Sequence, residues 1–114
     1  MSVCTATDGT LVTLLPEGSL DQELGEALAA AIEQALQEER SRFVVSLQKV
    51  PDANSVGLEQ LVRLARRVAD TGGRLALVGA STILADIFTA TRLDRRLALF
   101  DSTEQALQTM RMGG

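Results

Sequence analysis

The chain has 114 residues, 46% of them hydrophobic, and 15 acidic against 11 basic side chains give a net charge of -4. That length suits one globular domain with an ordinary core and leaves no room for a second. Without histidine and with one cysteine, Cys4, the usual zinc constellations and any internal disulfide are excluded. The acidic balance and the absence of tryptophan and tyrosine argue against a nucleic-acid reader built from a basic face and stacking aromatics.

No apolar run approaches a membrane span, and no basic stretch followed by an apolar one opens the chain as a signal peptide would. The expectation is a soluble cytoplasmic protein, without membrane insertion, whose partner is another protein. From the N-terminus, "VCTA" (3–6) and "TLVTLL" (10–15) flank the turn pair Asp8-Gly9 and read as a hairpin, with Cys4 expected as a buried strand residue. After Pro16 the period becomes helical. Leu24, Leu28, Ala31, Ile32 and Leu36 recur on one face of a helix over 19–39, and Ser19 with Gln22 has capping-box spacing at its start.

"FVVSL" (43–47) is suited to a buried strand. The spacing of Leu58, Leu61, Leu64, Ala65 and Val68 then predicts a helix from Ser55 to about Thr71, stopped by Gly72 and Gly73. "RLALVG" (74–79) reads as a strand, 81–93 as a helix with Ser81 near its start, and "LALF" (97–100) as a short strand. A last helix follows the capping-box pair Ser102 and Gln105, and the chain frays at 112–114. The order ββαβαβαβα demands crossovers between the later strands, so the fold class is α/β: a mixed, largely parallel sheet covered by helices. The expected core comprises Ile32, Val44, Val45, Leu47, Leu61, Leu75, Leu77, Val78 and Ile87.

Catalytic patterns are weak. A serine triad lacks its histidine, and a Ser-Lys pair would have to recruit Lys49, the one lysine. The acidic residues suit exposed helix faces and first turns rather than a paired acid-base site. "DTGGR" (70–74) lies between a helix and a strand, the reverse of the order that cradles phosphates. No catalytic residue, metal ligand or cofactor is therefore assigned.

The loop 48–57 stands out, because it leaves the C-terminal end of a strand and enters a helix, where open α/β sheets place functional loops. In "NSVGLEQL" (54–61), the spacing alone favours Asn54 or Ser55 as a helix cap over Ser55 as a functional hydroxyl.

"FVVSLQKVPDANSVGLEQLVRLARRVADTGGRLALVGAS" resembles the core of a STAS domain, the family of bacterial anti-sigma-factor antagonists, in which a strand of the type V-L-D-L-x-x-V leads to a D-S-[ST]-G-L helix start. "EGSLDQELGEAL" resembles the family's "GELD" turn and first helix, and "RLDRRLALFDSTEQAL" its C-terminal end, so nearly the whole chain is covered. The resemblance places Ser55 on the phosphoacceptor serine, Gly57 on the glycine and Leu58 on the following leucine. Asn54 replaces the usual aspartate, Val56 a serine or threonine, and Ser46 and Lys49 the strand aspartate and turn glycine.

The resemblance implies partner switching. Unmodified, the chain would dock Asn54, Ser55, Val56, Gly57 and Leu58 on an anti-sigma factor of histidine-kinase-like ATPase fold, which would phosphorylate Ser55; a PP2C-type phosphatase would restore the serine. The chain would be substrate and ligand, not enzyme. The alternatives are a non-phosphorylated STAS module in a stressosome-like or lipid-transport assembly, and a small ligand-binding domain.

Overall fold

A computed structural model describes residues 2–112. Strand β1 (Ser2–Asp8) and strand β2 (Leu11–Glu17) form the antiparallel hairpin, and β3 (Arg42–Ser46), β4 (Arg74–Val78) and β5 (Ala98–Phe100) extend it in parallel in the order β1-β2-β3-β4-β5. Helices α1 (Gln22–Gln37), α2 (Ser55–Asp70), α3 (Thr82–Ala90) and α4 (Thr103–Met112) complete the order ββαβαβαβα. The α/β class, the mixed sheet and the crossover logic stand as the periodicity predicts. Asp8 pairs with Leu11, so the hairpin loop is Gly9-Thr10 rather than Asp8-Gly9.

Alternation along the strands divides the core in two. Val12, Leu14, Phe43, Val45, Leu47, Leu75 and Leu77 face a large cluster with Leu24, Leu28 and Ile32 of α1, Leu58, Leu61 and Val68 of α2, and Leu84 and Phe88 of α3. Val44, Ala76 and Val78 point the other way, where Ala106 of α4 covers them. Every expected core residue is buried except Ile87, which is half-buried; Leu84 and Phe88 fill the space beneath α3 instead.

Three local expectations are corrected. Cys4 is exposed, because β1 is an edge strand and this residue faces away from the helices α1–α3, beyond the reach of α4. The first helix starts at Gln22 and ends at Gln37, and Ser19 does not cap it: Asp21 does, its carboxylate accepting from the Leu24 amide at 2.9 Å. The third helix stops at Ala90 instead of reaching 93. The Thr91 hydroxyl donates back to the Ile87 carbonyl at 2.7 Å, Arg92 turns to φ 63°, and a single 3-10 turn follows over Leu93–Arg95. The expected fraying covers Met112, which closes α4, and Gly113–Gly114, which lie outside the described residues.

Candidate functional site

All four helices start where a parallel-running strand ends, so their N-termini share one edge of the sheet. Each start carries an oxygen acceptor: Asp21 for α1, Asn54 for α2, Ser81 for α3 and Ser102 for α4, each accepting from a backbone amide three residues on at 2.9–3.2 Å. The 48–57 loop lies at the middle of this edge, between the ends of β2 and β4.

That loop is tied to the segment after β2 rather than left free. The Gly18 amide donates to the Lys49 carbonyl (3.0 Å), the Leu20 amide to the Asp52 carbonyl (2.9 Å) and the Asn54 amide to the Leu20 carbonyl (3.0 Å). Isolated parallel bridges at Glu17–Lys49 and Leu20–Ala53 express the same pairing. These bonds explain why α1 starts late: residues 17–20 are held against the loop, and the helix begins only once the buried Leu20 is placed. Val50 and Leu47 anchor the loop into the core from below.

The same contact dictates Gly57. A Cβ there would lie 2.2 Å from the Leu20 carbonyl oxygen and 3.0 Å from the Asp21 nitrogen, so only glycine lets the first turn of α2 sit against the start of α1. Gly57 and Leu58 are buried; Asn54, Ser55 and Val56 are exposed. The five residues thus divide into two that fix the helix and three that face outward.

Between the two capping candidates the structure chooses Asn54. Its side-chain oxygen accepts from the Gly57 amide at 2.9 Å, with extended backbone at φ -104° and ψ 174°. Ser55 is the first residue of the helix proper, and its hydroxyl makes no hydrogen bond with another described residue. The Ser55 and Val56 amides also lack an acceptor among the described residues. No acidic side chain lies in the first turn, so the positive end of the helix dipole is uncompensated there. The result is an exposed hydroxyl beside two open amides.

Two large apolar side chains are exposed at the helix starts along this edge. Val56 is 43% exposed and Ile83, in the first turn of α3, is 60% exposed. Ile83 was not singled out by sequence reasoning. The signal was available in "TILADIF": Ile83, Leu84, Ile87 and Phe88 cannot all face inward from one helix, and Leu84 and Phe88 do. Ser46, at the end of β3, is buried on the α4 side of the sheet, while Lys49 is exposed and 3.9 Å from Glu17. Among the described residues no cluster of three or more histidine, cysteine, aspartate or glutamate side chains could hold a metal ion. Nor is any helix among them long and apolar enough to cross a membrane.

The model of one protein family, the STAS domain, matches residues 3–106. Among solved structures, a Thermotoga maritima protein assigned as an anti-sigma factor antagonist superposes with a TM-score of 0.86 at 21% identity, covering 96% of this chain and 94% of that one. SpoIIAA, a Bacillus cell fate determinant and anti-sigma factor antagonist, superposes in its unphosphorylated form with a TM-score of 0.73 at 19% identity, over 96% of this chain and 98% of that one. Its phosphorylated form gives 0.70 at 17% identity, over 96% and 99%. A sulfate transporter family protein from Wolinella succinogenes shares the fold as well, with a TM-score of 0.80 at 17% identity over 94% of this chain and 89% of that one. No curated protein sequence matches the chain.

Proposed function

We propose that this chain, which belongs to the STAS domain family, is an anti-sigma-factor antagonist that works by partner switching, with Ser55 as the residue that switches it. The observation that carries this reading is the division of labour at the start of α2. Asn54 caps the helix, so the exposed Ser55 hydroxyl is structurally idle and open to a kinase. SpoIIAA, which shares the fold, is known in unphosphorylated and phosphorylated forms. An anti-sigma factor is accordingly the partner we assign.

In the unmodified state the partner docks on the helix-start edge, over the outward-facing Asn54, Ser55 and Val56 that the buried Gly57 and Leu58 hold in place, with Ile83 extending the apolar contact. The partner is an ATPase of histidine-kinase-like fold and supplies the ATP. Transfer joins the Ser55 Oγ to the γ-phosphorus, breaks the bond from that phosphorus to ADP and releases the hydroxyl proton. The chain itself supplies an acceptor and no catalytic group.

The phosphate then carries a charge of about -1.5 to -2 at pH 7. For the chain alone this is tolerable, because the open Ser55 and Val56 amides and the helix dipole favour an anion there. For the complex it is not. A dianion beside exposed apolar side chains at a packed interface brings bulk and a desolvation penalty, so binding weakens without refolding. A PP2C-type phosphatase returns the chain to its docking form.

The test is to incubate the chain with its anti-sigma ATPase and Mg-ATP and to locate phosphate by mass spectrometry. One phosphate at Ser55, absent in Ser55→Ala, supports the mechanism. An unmodified Ser55 in the presence of an active partner contradicts it and leaves a STAS module that binds without phosphorylation.

A further inference from the structure

A groove of about 480 Å³ runs along α2 from Ser55 toward the 3-10 turn that follows α3. Its α2 wall is the stripe Ser55, Leu58, Glu59, Val62, Arg63 and Arg66, helical neighbours at three- and four-residue spacing, so the groove is about 16 Å long at 1.5 Å per residue. Leu93 and Arg96 face it from the other side. The broken end of α3 creates that wall: with the helix stopped and Arg92 turned to φ 63°, the 3-10 turn brings Leu93 and Arg96 beside α2.

The charge of this groove opposes that of the protein. The chain carries -4, yet Arg63, Arg66 and Arg96 line the groove against a single carboxylate, Glu59. Glu59 is already engaged with Arg63, at 3.2 Å. Arg66 and Arg96 have no acidic partner among the described residues, and both are exposed. Leu58, Val62 and Leu93 supply an apolar floor between the guanidiniums.

We propose that this groove docks an acidic, amphipathic segment of a partner protein, apolar side chains seated on Leu58, Val62 and Leu93 and carboxylates paired with Arg66 and Arg96. Guanidinium forks hold carboxylates bidentately, and a groove of opposite sign to the rest of the molecule orients an acidic partner as it approaches. Ser55 lines one end of the groove, so negative charge placed there repels the same segment. That last coupling rests on the reading of Ser55 above; the groove does not.

The test needs neither kinase nor sigma factor. The labelled chain is titrated by NMR with a capped 12-residue peptide of leucine and glutamate, and with its leucine-lysine counterpart. The glutamate peptide is expected to shift amides of residues 55–66 and 91–96, with affinity that falls as salt rises. Arg66→Glu with Arg96→Glu should weaken it at least tenfold while the spectrum stays native, Arg66→Lys with Arg96→Lys should retain it, and Ser55→Glu should weaken it several-fold. Equal binding of the lysine peptide, shifts centred elsewhere, or unchanged affinity in the double glutamate variant would each overturn the docking groove. Binding to phosphatidylglycerol vesicles without binding to the peptide would overturn it too, in favour of a membrane surface. An unchanged affinity in Ser55→Glu refutes the coupling alone, and absence of phosphate on Ser55 in the kinase experiment leaves the groove standing.

Discussion

Ser55 and Asn54 are neighbours with separable duties, and substitution should separate them. Asn54→Ala removes the oxygen that accepts from the Gly57 amide and should cost about 0.5–2 kcal/mol of unfolding free energy. Ser55→Ala removes a hydroxyl with no partner among the described residues, and the unfolding free energy should stay within about 0.5 kcal/mol of the parent. Urea titration of both variants checks the pair; the reverse order of effects would hand the cap to Ser55. Gly57→Ala should be worse than either, because the added methyl meets the Leu20 carbonyl oxygen at 2.2 Å and forces α2 away from α1. Overpacking of that kind costs about 1–3 kcal/mol. Part of this was readable in advance: serine and asparagine before an amphipathic stretch announce a cap. Which of the two accepts the bond depends on where the backbone turns helical, and that is decided by the Leu20 contact across the molecule.

Among the elements, the second helix is the one whose limits follow most directly from its own residues, starting at Ser55 and ending before the Gly72-Gly73 pair. The first helix misled because Ser19-x-x-Gln22 has the right spacing for a capping box, while residues 17–20 are claimed by hydrogen bonds to the 48–54 loop, a non-local demand. The end of α3 was hidden for another reason. Arg92 takes a left-handed conformation without glycine, so no punctuation marks the break. Between α1 and α2, Arg67 holds both carboxylate oxygens of Glu33, at 2.8 and 3.1 Å, and these hydrogen bonds keep the Glu33 carboxyl below its ordinary pKa. A carboxyl depressed on folding stabilises above its unfolded pKa and loses that contribution as pH falls through the folded value. Glu33→Gln should therefore lower the thermal midpoint slightly at pH 7 and leave it unchanged near pH 2, a small effect because the pair is exposed.

The whole molecule is a sheet whose two faces are filled unequally and whose candidate functional edge is assembled from four helix starts. The order of elements along the chain and the helix-covered, largely parallel sheet were legible because alternating strand and helix periods leave few topologies open, while the spatial order β1-β2-β3-β4-β5 came from the structure. What the alternation did not reveal is the partition of Val44 and Val78 to the α4 side, and the exposure of Cys4 on the face of the edge strand turned away from α1. Leu77 lies at the centre of the larger core, fully buried, and Leu77→Asp should unfold the chain by placing an unpaired carboxylate there. Loss of amide dispersion and of a cooperative melt is the expected observation. The exposed edge residues Asn54, Ser55, Val56 and Ile83 can be changed without touching that core.

If charge at Ser55 decides whether a partner stays bound, calorimetric titration of the anti-sigma partner with the unmodified chain and with the chain homogeneously phosphorylated at Ser55 will separate the two forms. The phosphorylated form should bind at least tenfold more weakly, a loss of about 1.4 kcal/mol, with both forms equally folded by NMR. Equal dissociation constants for the two forms would contradict it.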